Sequence, residues 1–152
     1  MLRTHLSDAL KHAILAKNTR TVLTVRLILA AMKDRDIAAR GHGNAEGIGE
    51  TEILQMLQGM IRQRRESIAL YEQGNRFDLA SQEREEISVI ERFLPRRLGD
   101  SEMSAAIDSL INDLGAQGLK DMGRIMSALR TRHSGQMDFA QASTLVKKRL
   151  SS

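Results

Sequence analysis

Residues 66–98 read ESIALYEQGNRFDLASQEREEISVIERFLPRRL, and they decide the fold. They predict two amphipathic helices that are joined at Gly74 and Asn75, because glycine and asparagine favour turns. Pro95 ends the second helix, since proline disfavours a helical conformation in the residue before it. Charged residues stand in this stretch at positions where helical periodicity calls for apolar ones. The stretch contains no recognisable catalytic residues, so it predicts a scaffold rather than an active site.

A buried ion pair is expected between these two helices. Arg64 lies in the middle of an apolar stripe on the helix before Gly74, and Glu83 and Glu86 lie in the apolar stripe of the helix after Asn75. We predict that Arg64 pairs with Glu86 or Glu83, because its planar guanidinium can hold two carboxylate oxygens. The alternative is a carboxylate pair for acid–base catalysis. It is disfavoured because no histidine, cysteine or lysine lies nearby and because an arginine keeps both carboxylates ionised. No catalytic residue is therefore predicted.

The residues before this hairpin predict two more helices. The four helices of the first domain are expected at residues 2–17, 19–39, 50–73 and 76–94, with Thr51 and Asn75 as caps. Leu6, Leu10, Ala13 and Ile14 form the apolar stripe expected to be buried on the first helix. The second helix is apolar on nearly every side, which places it at the centre of a bundle. The glycine-rich segment 41–49 predicts a flexible loop.

The chain after Pro95 predicts a second, smaller domain. Three short helices are expected at residues 101–114, 119–132 and 139–150, the last capped by Asp138 with Gln141. Gly123 lies inside a helix, which suggests a close helix approach or a backbone contact there. The predicted fold is all-α, with a four-helix domain at residues 1–95, built from a helical hairpin plus a central apolar helix, and a three-helix domain at residues 96–152.

Composition limits the classes of function. The 152 residues contain no cysteine, which excludes disulfides, thiolate metal sites and a cysteine nucleophile. No apolar run approaches the roughly 20 residues of a membrane span. The first residues contain no apolar signal core and place acidic and basic residues within helical spacing, which predicts a mature cytoplasmic start. Asp8 and His12 have a spacing that can chelate a metal, with His5 on the same face, but a solvated polar face is the favoured interpretation. No metal or cofactor is predicted.

Positive charge is concentrated in the second domain. Residues 1–95 contain 14 basic and 13 acidic residues, whereas residues 96–152 contain 9 basic and 6 acidic ones. A polyanionic partner is therefore plausible for the second part of the chain. If the last two helices pack side by side, a basic RNA-binding patch forms from Lys120, Arg124, Arg130, Arg132, Lys147 and Lys148. The alternative, weighted equally, is that these charges only solubilise a small domain.

Several segments of the sequence resemble one protein family. The stretch Ser67–Pro95 resembles the YqeY family, as do Arg26–Ile37, Gln63–Ile68, Lys120–Met126 and Val146–Leu150. These segments cover nearly the whole chain in order. In the glycine-rich loop the sequence departs from the shorter acidic connection of the family.

The resemblance implies a helical first domain and a small three-helix second domain. It also implies similarity to the C-terminal tail of GatB, a subunit of the glutamine-dependent amidotransferase that acts on misacylated tRNA. The arginine at position 64 and the acids at positions 83 and 86 match the family's residues. In that enzyme the tail resembles a tRNA-holding module, and nothing in this chain matches its kinase-like or amidase chemistry.

Three functions remain open at this point. The first is a non-catalytic module that binds structured RNA, tRNA above all, through phosphate contacts, since aromatic residues that could stack on bases make up only 3% of the chain. The second is an accessory component of a carbon–nitrogen ligase with glutamine as amide donor, acting with separate amidotransferase subunits. The third is a protein-interaction adaptor. The oligomeric state is left open.

Overall fold

The computed structural model describes residues 1–151, and it confirms the all-α class. Its helices are α1 (Leu2–Leu15), α2 (Thr19–Gly41), α3 (Glu50–Gln73), α4 (Phe77–Glu91), α5 (Asp100–Leu114), a short 3-10 helix (Leu119–Asp121), α6 (Met122–Arg132) and α7 (Phe139–Leu150). No strand occurs among residues 1–151. The chain divides into two compact units between Leu94 and Pro95, with α1–α4 in the first and α5–α7 in the second.

The first unit is built on the hairpin of α3 and α4. Helix α2 packs against both, and α1 packs against α2. The core is aliphatic, and fully buried side chains from every helix meet in it, among them Leu6, Ile28, Leu57 and Ile90. Each such side chain contributes about 1.5–3 kcal/mol on burial. A chain with few aromatic residues can therefore form a stable core from leucine, isoleucine and valine.

The turn between α3 and α4 differs in detail from the prediction. Asn75 was expected to cap α4, but it adopts a left-handed conformation with φ 59°, and Arg76 is the N-cap residue. Asparagine tolerates this conformation better than most residues with a side chain. The backbone N–H of Asn75 donates to the carbonyl of Glu72 at 3.1 Å and closes the end of α3. The turn therefore depends on Asn75 for its backbone conformation and not for a side-chain cap.

Helix α2 packs against the other three helices of the first unit, which confirms its expected central position, but it is not buried on all sides. One face, which includes Val25, Ile28 and Met32, is buried, whereas Leu23 and Leu27 are about half exposed. The expected burial of Ile14 on α1 is wrong, since it is 48% exposed. The reason is that a four-helix unit has too few helices to surround α2.

The second half of the glycine-rich loop packs against the first unit. Ile48 is buried and belongs to the core. Its backbone N–H donates to Asp36 at 2.9 Å. The loop ends at Gly49, which is the N-cap residue of α3, so Thr51 is not the cap.

The second unit is a three-helix cluster with its own core. Helices α5, α6 and α7 pack pairwise against one another. Ile107, Leu110, Ile125, Leu129 and Val146 are almost completely buried between them. Asp138 caps α7 by accepting from the backbone N–H of Ala140 at 2.9 Å, and Gly115 ends α5 with φ 62°. Within residues 1–151, no helix combines the length and apolarity that a membrane crossing requires.

Candidate functional site

The structure places the three residues of the predicted ion pair together at the α3–α4 interface. Arg64 Nε donates to Glu86 Oε2 at 2.9 Å and lies 3.8 Å from Glu83 Oε2. Its Nη1 donates to the carbonyl of Met60 at 3.3 Å. The side chains of Arg64, Glu83 and Glu86 are only 12%, 20% and 14% exposed. The cluster therefore links the two helices at a point that is largely shielded from water.

Burial, and not Arg64, determines the direction in which the pKa of Glu83 is shifted. Desolvation raises this pKa, the charge of Glu86 raises it further, and Arg64 opposes both. The expectation that an arginine keeps both carboxylates ionised therefore overstated its influence on Glu83. The hydrogen bond from Arg64 goes to Glu86, which leaves Glu83 as the outer partner at the longer distance. The geometry is that of a fold-stabilising cluster, with the guanidinium between the two helices.

A second ion pair, whose carboxylate is buried, was missed by the sequence analysis. Arg3 donates from Nη1 to Asp36 Oδ2 at 2.8 Å and from Nη2 to Asp36 Oδ1 at 2.6 Å. The same Nη2 donates to the carbonyl of Ile48 at 2.8 Å. The side-chain hydrogen bond from Arg3 lowers the pKa of Asp36 to about 2, against the opposing effect of burial. This pair joins α1, α2 and the glycine-rich loop.

Gly47 is required for this junction. Its backbone has φ 86°, a conformation that residues with a side chain rarely adopt. A Cβ atom at this position would lie 2.3 Å from Asp36 Oδ1, which is far inside van der Waals contact. The glycine therefore allows the loop backbone to approach the carboxylate that binds it.

The six predicted RNA-binding cations all lie on the surface of the second unit, on α6, α7 and the 3-10 helix before α6. Two of them have acidic partners. Arg124 lies 3.1 Å from Asp121, and Arg132 lies 3.7 Å from Asp113. Sequence spacing could have revealed the first pair, because residues three apart on a helix are neighbours. Their positive charge is therefore partly neutralised within the protein.

Arg124 and Arg132 also border an open depression on the surface of α6. Its lining includes Ser127 and Thr131, and its apolar parts come from Ala128 and from Leu114 of α5. Guanidinium and hydroxyl groups are donors that suit phosphate oxygens. The depression is open, its surface is more apolar than polar, and the Thr131 hydroxyl already donates to the carbonyl of Ser127.

Arg130 lies apart from that depression. Its guanidinium carbon is 6.0 Å from the centre of the Phe139 ring at the start of α7, at the outer limit of a cation–π contact. Among residues 1–151, Lys120, Arg130 and Lys147 have no carboxylate within ion-pair distance. Arg149, which was not among the predicted residues, pairs with Asp108. The cations available to an anionic ligand are thus a subset of those predicted.

His5, Asp8 and His12 are all exposed, as expected for a solvated polar face, and His5 also lies edge-on to Phe93, with ring centres 5.0 Å apart. The expectation for Gly123 was not met. No atom lies within 4 Å of a Cβ placed on Gly123, so no close approach explains that glycine. Within the part of the chain that the structure describes, no three His, Asp or Glu side chains are grouped as metal ligands would be.

Curated relatives with similar sequences come from yeasts and share one name, altered inheritance of mitochondria protein 41, mitochondrial. The protein of Lachancea thermotolerans is 29% identical over 72% of this chain and 58% of its own length. The protein of Vanderwaltozyma polyspora is 29% identical over 77% of this chain and 64% of its own length. The protein of Clavispora lusitaniae is 30% identical over 70% of this chain and 61% of its own length. The chain thus spans about three-fifths of the length of these relatives.

The names of these relatives contradict the predicted cytoplasmic location, because they describe mitochondrial proteins. The prediction relied on the mixed charges of the first residues. Those charges belong to α1, where Arg3 holds Asp36 and Leu6 enters the core. They therefore report on folding and give no information about cellular location.

A family comparison covers almost the entire chain. The sequence model described as Yqey-like protein matches residues 3–150 and so includes both compact units. The matched range contains the Arg64 cluster, the Arg3–Asp36 junction and the cations of α6 and α7. On this evidence, the chain belongs to the YqeY family.

Proposed function

We propose that this YqeY-family protein is a non-catalytic module that binds structured RNA, with tRNA as the expected ligand. The binding surface is formed by the second unit, where α6 and α7 pack together. The observation that supports the proposal is the group of exposed cations, Lys120, Arg130 and Lys147, that have no carboxylate partner among the described residues. The resemblance to the tRNA-holding tail of GatB points to the same class of ligand.

The mode of binding follows from the composition of this surface. Its cations can contact phosphates, whereas Phe139, the one aromatic residue of the second unit, is half-buried beside Arg130. Base stacking therefore has little to contribute, and recognition through backbone and shape dominates. Affinity that depends on phosphate contacts falls steeply with salt, because each contact releases bound counterions.

Fluorescence anisotropy with labelled tRNA at 50 and 200 mM salt tests the proposal. The variant Lys120→Gln/Arg130→Gln/Lys147→Gln removes three unpaired cations from the second unit. A matched control, Lys11→Gln/Arg62→Gln/Arg92→Gln, removes three exposed cations from the first unit and leaves the same net charge. We expect the first variant to bind more weakly and to lower the slope of log affinity against log salt by about 2–3, at roughly one per lost phosphate contact.

The control variant should bind almost as well as the unmodified protein. Equal losses in the two variants would show that only net charge matters and would count against a defined surface. Absence of binding at 50 mM salt, or binding that does not respond to salt, would refute the proposal. Single-stranded RNA of the same length serves as competitor, and it should displace tRNA poorly if folded RNA is the ligand.

A further inference from the structure

Helix α2 presents an apolar stripe to solvent on the side that faces away from the core. Leu23, Leu27 and Ile37 are 51%, 48% and 56% exposed. With Ala30 and Asp34 they follow the spacing four, three, four, three along the helix. This is the spacing of a helix seam in which every contact residue faces the same partner. Single exposed leucines are common on protein surfaces, but several exposed apolar residues on one helix face, here interrupted only by Asp34, are a candidate interaction site.

A row of cations borders this stripe. Arg26 and Lys33 are seven residues apart, so they lie on the same edge of the stripe, and Arg40 continues the row. Within residues 1–151, neither Arg26 nor Lys33 takes part in an ion pair, and Arg40 donates its Nε to the carbonyl of Ala45. By contrast, six arginines of the first unit pair with acids, namely Arg3, Arg20, Arg64, Arg65, Arg76 and Arg84. Arg26 and Lys33 are thus two of the exposed cations of this unit without an acidic partner among residues 1–151, and both lie beside its exposed apolar stripe.

We propose that this face of α2 binds an amphipathic helix of another protein, with apolar residues on the contact face and carboxylates along the edge next to Arg26 and Lys33. A helix laid along the stripe would cover Leu23, Leu27 and Ile37, and the small Ala30 would allow close approach at the middle. The edge carboxylates would complement the cation row, which determines the orientation of the partner more than its affinity. The surface is independent of the RNA-binding surface and does not rest on it.

A second copy of the chain fits this face less well than an acidic helix does. Antiparallel pairing of two α2 helices would bring the two cation rows to the same side, so that Lys33 would approach the cations of the other copy. Parallel pairing in register would place Asp34 against its own copy inside the seam. Like charges in close juxtaposition oppose association in both arrangements. The charge pattern therefore favours a different, acidic partner.

A membrane surface also fits less well. Asp34 stands in the middle of the stripe, between Ala30 and Ile37. Immersion of the stripe in a bilayer would bring this carboxylate toward the hydrocarbon region, where a charged side chain is strongly disfavoured. A protein helix can instead place a hydrogen-bond donor opposite Asp34.

The probe for this site is a pair of synthetic 21-residue helical peptides. Both have leucine at the contact positions of each heptad except for one central asparagine that can donate to Asp34, and one has glutamate at the flanking positions where its twin has lysine. Fluorescence anisotropy with the full chain measures both affinities at peptide concentrations that keep the peptides monomeric. We expect the acidic peptide to bind at least about tenfold more tightly than the basic one. The double variant Arg26→Glu/Lys33→Glu should reverse this preference.

Leu27→Glu should weaken binding of the acidic peptide by about tenfold or more, as expected for loss of a central contact. The matched control is Leu70→Glu, which makes the same change at a leucine on α3 that is 68% exposed. Both positions are exposed, so both variants should retain the circular dichroism and melting temperature of the unmodified chain. Leu70→Glu should not change the affinity for the peptide.

Four results would overturn the proposal. Equal affinity for the two peptides, or binding that Leu27→Glu leaves unchanged, would remove this face as the site. Concentration-dependent dimerisation in analytical ultracentrifugation, abolished by Leu27→Glu, would identify a second copy as the occupant. Sedimentation with phosphatidylserine vesicles that Leu27→Glu abolishes, without a preference between the peptides, would identify a membrane surface.

Discussion

Replacement of Asp36 by asparagine removes a charge from the junction of α1, α2 and the glycine-rich loop while keeping the size of the side chain. The carboxylate accepts two hydrogen bonds from Arg3, at 2.8 and 2.6 Å, and one from the backbone of Ile48 at 2.9 Å. Asparagine has one acceptor oxygen in place of two. In the variant, an amide donor faces a guanidinium donor, and Arg3 loses its counter-charge.

The magnitude follows from the pKa of Asp36. Its value of about 2 in the folded chain compares with 3.8 for a free side chain. The difference corresponds to about 2.4 kcal/mol at neutral pH, since one unit is worth about 1.4 kcal/mol. The side chain of Arg3 is 38% exposed, so water screens part of this interaction. We therefore expect Asp36→Asn to lower the free energy of unfolding by about 1.5–2 kcal/mol at pH 7.

The sign of the pH dependence is fixed by the same numbers. A carboxylate with a lowered pKa stabilises the fold above its unfolded pKa and loses that contribution as pH falls through the folded pKa. The difference between the unmodified chain and Asp36→Asn should thus be constant above pH 5, about halved at pH 3 and nearly absent at pH 2. Urea denaturation followed by circular dichroism measures this difference at each pH.

Hydrogen exchange at the Ile48 amide gives a local check, because this N–H donates to Asp36. The amide should be protected in the unmodified chain and should exchange faster in Asp36→Asn. A difference in stability below about 0.5 kcal/mol at pH 7 would refute the assigned strength of the pair. A difference that stays the same from pH 7 to pH 2 would show that the charge of Asp36 is not its source.

Further predictions concern the ion cluster and the glycines. Arg64→Met should destabilise the first unit by about 3 kcal/mol in urea denaturation, because it leaves Glu83 and Glu86 partly buried without their cation; an unchanged midpoint would show the cluster to be dispensable. Gly47→Ala should lower the melting temperature strongly, because its φ is 86° and its new Cβ meets Asp36. Gly59→Ala, inside α3 with no atom within 4 Å of the new Cβ, should instead stabilise the chain by about 0.5–1 kcal/mol. Differential scanning calorimetry measures the melting temperatures of both glycine variants, and equal shifts in melting temperature would contradict the argument.

Helical periodicity was enough to predict the elements of this fold. Each predicted helix is present, and most ends lie within about two residues of the observed ones. The Arg64 cluster was also accessible, because a charge in the middle of an apolar stripe must find a partner. The same logic would have applied to Asp36, which follows Val25, Ile28 and Met32 on the buried face of α2. Asp36 was not recognised in this way because apolar residues surround α2, so the sequence did not reveal which side of the helix is buried.

The loop and the surface charges lay beyond sequence reasoning for a different reason. The backbone of Ile48 is hydrogen-bonded to Asp36 and Arg3, which are 12 and 45 positions away from it in the sequence. Local composition cannot reveal such contacts, and glycine content alone predicted mobility. The pairing of Arg132 with Asp113 is likewise a contact between α5 and α6 that depends on helix packing. Charge counts therefore overestimated the cations that are available to a ligand.

Ion pairing divides the basic residues of this chain into two groups with different roles. Arginines such as Arg3 and Arg64 hold acids that are largely buried, and bulk salt screens such pairs only weakly. Lys120, Arg130 and Lys147 in the second unit, like Arg26 and Lys33 in the first, are exposed and have no acidic partner among residues 1–151. A charge that stabilises the fold needs a partner within the chain, whereas a charge that binds a ligand must remain available. The net charge of +4 therefore does not measure the charge that is available to a ligand, because it counts paired and unpaired cations together.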